Sequence, residues 1–390
     1  MTSGRTGPTR RDTLKYGAAA ATMGLAGCSG IAGEDGTPTG TGSYSARMAP
    51  MGEVTFEQVP EDVFTILTHH ADMALSLGYG DDINAMHAPG YYQTLYEKFT
   101  HHLDGVSHDW EGLYSSWPPT KERLYELDSD VHLADPAKVS TAEGWDDGDI
   151  EDVRRDVAPW FGNTFSDTHQ EPPESWADEY QYYTLWEIFG NVADVFQEIA
   201  RYEALASVHD ELIDDIESGL PAQSERPSAA MVLFSTSDDS MWGYQLNQPG
   251  YYAAHTRPLG ATDALSDAVG DGNAEIDAEV LLEADPDVLL VLGPMSEYHD
   301  IADIRANLAD DEVTAEISAV QNDRVYTQGA RNQGPLLNLF QLEMTAKQLY
   351  PDRFGEWPGY ESGPYPEIHE DEQLFDRQRV ADIVKGNIEQ

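Results

Sequence analysis

The chain carries one cysteine, Cys28, in 390 residues. No intramolecular disulfide can form, so the fold has to be held by its core. Positive charge is also scarce: 22 Lys and Arg stand against 71 Asp and Glu, a formal net charge of −49. No basic face is on offer, which argues against direct binding of nucleic acid. Long hydrophobic runs are missing too. The apolar run Tyr16 to Ala26 falls well short of the ~20 residues that span ~30 Å of hydrocarbon. The sequence has no GxSxG elbow, HExxH pair, GxGxxG phosphate turn or downstream cysteine nucleophile. These absences argue against catalysis, and no cofactor is expected.

The N-terminus has an order of its own. Thr9-Arg10-Arg11-Asp12-Thr13-Leu14-Lys15 resembles a twin-arginine export signal, with Arg10 and Arg11 as its pair and threonine where phenylalanine is common. The short apolar run follows, then Leu25-Ala26-Gly27-Cys28, which is similar to the lipobox of prokaryotic lipoproteins. These resemblances imply a signal over 1–27, diacylglyceryl attachment at Cys28 and residence on the outer face of the cell membrane. Residues 28–52, rich in Gly, Ser, Thr and Pro, read as a flexible tether. The extreme acidity reads as adaptation to multimolar salt, as in haloarchaeal proteins, because salt screens the self-repulsion.

Beyond the tether, short β-branched runs alternate with helical periodicity. Val63–His69, Ile83–Met86, Val131–Pro136 and Val157–Gly162 are strand candidates of an α/β lobe over 53–182. Residues 183–219 hold apolar positions at helical spacing, weakened only at Gly190, and read as one connecting helix of roughly 54 Å. The alternation restarts over 228–357 with Ala229–Ser235, Asp287–Gly293 and Asp323–Gly329 as strands and Leu336–Tyr350 as a helix. Residues 358–390 read as an acidic tail with a surface helix.

Four segments carry a family resemblance. They are "VPEDV" with "ADMALSLGYGDDINAM", "TKERLYELDSDVHLADP", "AEIDAEVLLEADPDVLLVLG", and "AVQNDRVYTQGARNQGPLLNLFQLEMTAKQLYPDRF". In this order they resemble the helical-backbone class of ABC-transporter substrate-binding proteins, which carries ferric siderophores, haem and cobalamin. The implied fold is α/β, two Rossmann-like lobes joined by one long helix, as in class III periplasmic binding proteins. The implied partners are a ferric chelate or corrinoid and an ABC permease, docked through carboxylates that the sequence does not single out.

In such a fold the ligand sits at the carboxyl ends of the strands. That rule selects His69, His70, His87, Tyr91, Tyr92 and Trp117 from the first lobe, with Tyr114 beside them. From the second it selects Trp242, Tyr244, Tyr251, Tyr252, His255, Arg331 and Asn332. Aromatic walls with one fixed cation suit a flat or greasy anionic chelate. Hydroxamate, catecholate, haem and corrinoid all fit, and Arg331 could instead neutralise nearby carboxylates. A second reading is capture of bare Zn²⁺ or Mn²⁺ by the histidines at 69, 70, 87, 101, 102 and 108.

Overall fold

The computed structural model describes residues 42–235, 240–270, 272–295 and 299–388. Arg10, Arg11, Cys28 and most of the expected tether lie outside the described residues. The end of that tether does not. β1 (Tyr44–Met48) and β2 (Gly52–Phe56) form an antiparallel hairpin, because the alternation that composition hides puts Ala46, Met48 and Phe56 into the core. Tyr44 stacks on Phe56 with centroids 5.6 Å apart.

The first lobe is built on a parallel sheet ordered β5 (Tyr114–Ser115), β4 (Ile83–Met86), β3 (Val63–Thr65), β6 (Val131–Leu133). β3 is shorter than expected: it stops at Thr65, and a helix begins at Thr68 and runs to Ser76. His69 and His70 therefore lie in the first turn of that helix, beyond the strand. Val157–Gly162 contributes only an isolated bridge between Trp160 and His132.

The second lobe carries β7 (Ser228–Phe234), β8 (Met241–Tyr244), β9 (Thr262–Asp263), β10 (Asn273–Ile276), β11 (Val288–Leu292) and β12 (Val325–Gln328). The order is β10-β8-β7-β11-β12, with β9 on β7. β7, β11 and β12 are parallel, and β11 is buried along its whole length. β8 and β10 run antiparallel at one edge, which departs from a pure Rossmann-like sheet.

The expected single connecting helix is two helices, Leu185–Phe196 and Ile199–Gly219. The first opens on a capping box between Thr184 and Glu187. It ends where Gln197 takes the left-handed conformation, φ 56° and ψ 33°. Gly190 is a contact point and not a weak one: a Cβ there would stand 3.0 Å from the Tyr202 ring of the second helix. The apolar stripes of both helices fold onto one core, so the periodicity continues through a break in the backbone.

The closing helix, Pro335–Leu349, is buried at every residue, including Asn338, Gln341, Glu343, Lys347 and Gln348. Its N-terminus meets the helix Thr68–Ser76 of the first lobe. There the fully buried Asp72 accepts from the backbone N–H groups of Leu336 and Leu337, each at 3.1 Å. Tyr96 O–H at 2.9 Å and Ser76 O–H at 3.1 Å donate to the same carboxylate. Burial raises the Asp72 carboxyl to about 6, while the helix N–H groups and Tyr96 pull it down.

The expected acidic tail is also structured. Tyr365, Phe375, Val380 and Ile383 are buried, and the helix Arg377–Val384 packs against Ile199–Gly219. The acidic residues around these side chains outnumber them and mask their apolar spacing.

Asp72→Ala strands two helix N–H groups and the Tyr96 hydroxyl in a dry site, while Ser76 keeps its bond to the backbone carbonyl of residue 72 at 2.7 Å. It should lower unfolding free energy by about 3 kcal/mol, read as a shift of the urea midpoint in concentrated KCl. Asp72→Asn, which keeps one acceptor, should fall between the two.

Candidate functional site

The loops at the carboxyl ends of the strands meet along the seam between the lobes. From the second lobe, the loop after β12 presents Arg331. Its guanidinium lies 4.0 Å from the Tyr244 ring centroid and 4.6 Å from that of Tyr252. Among the described residues it makes no ion pair, although most of the chain's arginines are held by carboxylates or by backbone carbonyls.

This loop is held by buried amides. Gln333 donates to Tyr251 C=O at 3.1 Å and contacts His255 Nδ1 at 2.7 Å. Its carbonyl accepts from Asn338 and Gln341, both at 2.9 Å. Gln341 also donates to Ala330 C=O at 2.9 Å. Arg331 is thus carried on a backbone tied down on both sides by the closing helix.

From the first lobe, Tyr92 faces the same place. Burial raises its phenol, while Thr68, Asn332 and Arg331 lower it. Those three causes put side chains of both lobes around one hydroxyl. Asp167 is the acidic neighbour: burial raises its carboxyl, and Arg331 is among the groups that lower it. Thr68 Oγ1 and Asn332 Oδ1 are buried without a well-formed hydrogen bond. The two lobes touch where Gly250 (φ +91°) packs onto the backbone carbonyls of Ser166 and Asp167, leaving no room for a Cβ.

The other sequence-selected residues divide. Tyr91 packs edge-on against Tyr92 at 4.9 Å. Tyr251 is fully buried, its O–H donating to Thr164 C=O at 3.2 Å, with the tilted ring of His69 packed on it at 4.7 Å. His70 packs on His69 at 4.0 Å, the rings tilted by 41°. Both histidines are enclosed, so they support the seam from beneath and present no exposed edge. Half-buried His87 follows β4 and bonds its backbone N–H to Ile66 C=O at 2.9 Å. Trp242 bonds Ser240 Oγ at 3.2 Å and does not stack on Arg331. Trp117 joins a separate cluster with Phe64 and Trp160, under the Lys138 ammonium.

Thr68, Asp72, Asp167 and Gln333 escaped the sequence reading. The amides within the closing helix were the available signal, since polar side chains on a helix that has no solvent face need partners.

The histidines proposed for bare metal are dispersed. His102 bonds Tyr365 C=O at 2.6 Å, and His108 packs at a tilt on Trp110 at 4.3 Å. Among the described residues no group of three or more His, Cys, Asp or Glu is placed to hold a metal ion. The described residues also contain no helix long and apolar enough to cross a membrane.

With this geometry in place, comparisons with known proteins define the architecture. The fold is α/β, with the helices and parallel strands of class III periplasmic-binding-protein-like structures. Residues 154–331 match the family profile described as "Periplasmic binding protein". A search of curated proteins returns no significant match. Among solved structures, Helicobacter pylori CeuE with Ni(II) bound aligns at 13% identity and TM-score 0.55, over 80% of this chain and 90% of that one. The iron uptake ABC transporter substrate-binding protein PiuA of Streptococcus pneumoniae aligns at 17% and 0.54, over 79% and 98%. The petrobactin-binding protein YclQ of Bacillus subtilis aligns at 14% and 0.53, over 79% and 97%.

Burial sets the acid response of this region. His69 is pushed well below its ordinary value by burial and then by His70, and His70, His132 and His255 are held at about 3 by burial. In the unfolded chain they protonate near 6.5, so stability is lost as pH falls below that value. Asp72 and Asp135, raised to about 6, act the other way: their contribution is present below about 4 and lost as pH rises through 6. In concentrated KCl the urea midpoint should be flat above pH 7. It should fall as pH drops through 6.5 and go on falling below 6, where the two aspartates offset part of the loss from the four histidines. His132→Phe, in a site walled by Phe64 and Trp160, should flatten the acid limb by one proton, about 1.4 kcal/mol per pH unit.

Proposed function

We propose that the protein is an extracytoplasmic solute receptor that takes an iron(III) chelate of the siderophore type, or a corrinoid such as cobalamin, between its lobes and passes it to an ABC permease. The observation that carries this reading is Arg331, a cation without an ion pair among the described residues of a strongly acidic chain, set on Tyr244 and Tyr252 at the lobe seam. Guanidinium supplies a planar donor fork for anionic oxygens, and the aromatic rings supply apolar walls for the body of a chelate. Tyr92, Tyr91 and His87 complete the wall from the other lobe. Trp242 and Trp117 have their contacts on Ser240 and under Lys138, and we assign them to the rim for a bulky ligand.

Capture and hand-over need no chemical step, and none is assigned. The chemistry in kind comes from two of the aligned proteins, PiuA being an iron uptake substrate-binding protein and YclQ a petrobactin-binding protein. The proposal extends to the N-terminus, where a twin-arginine signal with Arg10 and Arg11 would export the folded chain. A lipid on Cys28 would then hold it to the outer face of the cell membrane, in a salt-rich environment.

Tryptophan fluorescence of residues 28–390 with Cys28→Ser, titrated in multimolar KCl, tests the reading. The panel is ferric hydroxamates and catecholates, haem, cobalamin, Zn²⁺ and Mn²⁺. Saturable quenching by one chelate at micromolar or tighter affinity is expected, and Arg331→Ala should weaken it at least tenfold with an unchanged circular-dichroism spectrum. A response to free Zn²⁺ or Mn²⁺ alone would overturn the proposal.

A further inference from the structure

The chain does not end with the closing helix, and its last residues are fastened to two elements that each have one end at the lobe seam. The first is the helix Pro89–Thr100, which begins with Tyr91 and Tyr92. At its other end Tyr365 N–H donates to Lys98 C=O at 3.0 Å, Lys98 Nζ donates to Gly363 C=O at 3.0 Å, and His102 bonds Tyr365 C=O at 2.6 Å. The second is the closing helix, which begins just after the Arg331 loop. On it, Glu343 is fully buried and receives Arg377 at 2.6 Å, Tyr365 O–H at 2.9 Å and Leu374 N–H at 2.7 Å. The Arg377 guanidinium lies over the rings of Phe340, Tyr365 and Phe375 at 5.3, 5.3 and 5.8 Å.

Tyr365 therefore touches both helices at once: its ring packs on Phe99 at 5.5 Å and Phe340 at 5.2 Å, and its backbone and hydroxyl bond one helix each. Further along, Arg379 pairs with Glu211 at 2.7 Å on the helix Ile199–Gly219. A buried ion pair such as Glu343–Arg377 gives little net stability over apolar packing, but it demands one geometry.

We infer that residues 357–388 form a positioning strap that sets the relation between the helix Pro89–Thr100 and the closing helix, and so holds Tyr92 against Arg331 and Asn332 before any ligand arrives. Glu343, Arg377 and Tyr365 are its positioning residues. None of them reaches the seam; each acts through a helix whose far end does. Its effect on ligand affinity rests on the receptor reading above, whereas its effect on the two helices does not.

Hydrogen–deuterium exchange on the ligand-free protein separates the two. Arg377→Met should raise exchange at residues 89–96 and 329–334 at least fivefold, and Arg377→Lys, which can restore one bond to Glu343, should recover most of the protection. Tyr365→Phe removes only the hydroxyl bond and provides a milder step if Arg377→Met does not fold; it should raise exchange at the same two segments by a smaller factor. Given a ligand from the titration above, its affinity should fall at least fivefold in Arg377→Met and recover in Arg377→Lys. Exchange that rises only within 355–388 in both Arg377→Met and Tyr365→Phe would overturn the strap. If no chelate binds the unaltered protein, the receptor reading fails while the exchange result still decides the strap.

Discussion

A single carboxylate, Asp72, ties the lobes together at the point where the rest of the site is organised. The first four N–H groups of a helix have no partner within it, and a helix that starts inside the protein cannot leave them to water. Asp72 supplies two of the missing acceptors from another lobe, and Tyr96 and Ser76 occupy its remaining lone pairs. The approach is so close that a Cβ on Gly334 would collide with the Asp72 side chain. Its consequence is positional. The same contact sets where the loop carrying Arg331 must end and where the helix that begins with Thr68 and His69 must lie.

What Asp72 does at one end, buried amides continue along the helix. Gln333, Asn338 and Gln341 form one network, and Gln328, Thr345 and Gln348 another, with bonds of 2.5 to 3.2 Å. Apolar side chains could fill the same volume, and they would let the helix slide or rotate at little cost. Amides lose that freedom, because each shift leaves a donor or acceptor dry. The loop after β12 inherits this precision, since Ala330 and Gln333 are themselves members of the first network. A cation presented to a ligand gains from such preorganisation, as no ordering of the loop remains to be done on binding.

Much of this was legible before the structure, and the reasons are local. β11 stands out because a fully buried parallel strand reads as a continuous apolar run, and Leu336–Tyr350 because its period is helical and Pro351 stops it. Arg331 is conspicuous because cations are rare here. The break at Gln197 was not legible, because two helices packed on one core keep a single apolar rhythm. The role of Asp72 was not either: one aspartate among 71 acidic residues carries no mark of being buried. The strap failed for the same reason, its Tyr365 and Arg377 hidden in a segment whose composition is acidic.

That acidity bears on the site itself. In dilute buffer a net charge of −49 surrounds Arg331 with a negative potential that reaches well past the surface and repels an anionic chelate. At about 1 M salt the screening length falls to about 3 Å, shorter than the stacking distances of 4.0 and 4.6 Å around Arg331. Surface carboxylates then lose their reach, whereas a donor in contact with the ligand, backed by rings in place of water, is screened much less. The same salt therefore removes the repulsion that opposes approach and leaves the attraction that acts on contact. An acidic surface and the role proposed for Arg331 are compatible on that condition, since no carboxylate among the described residues forms an ion pair with it.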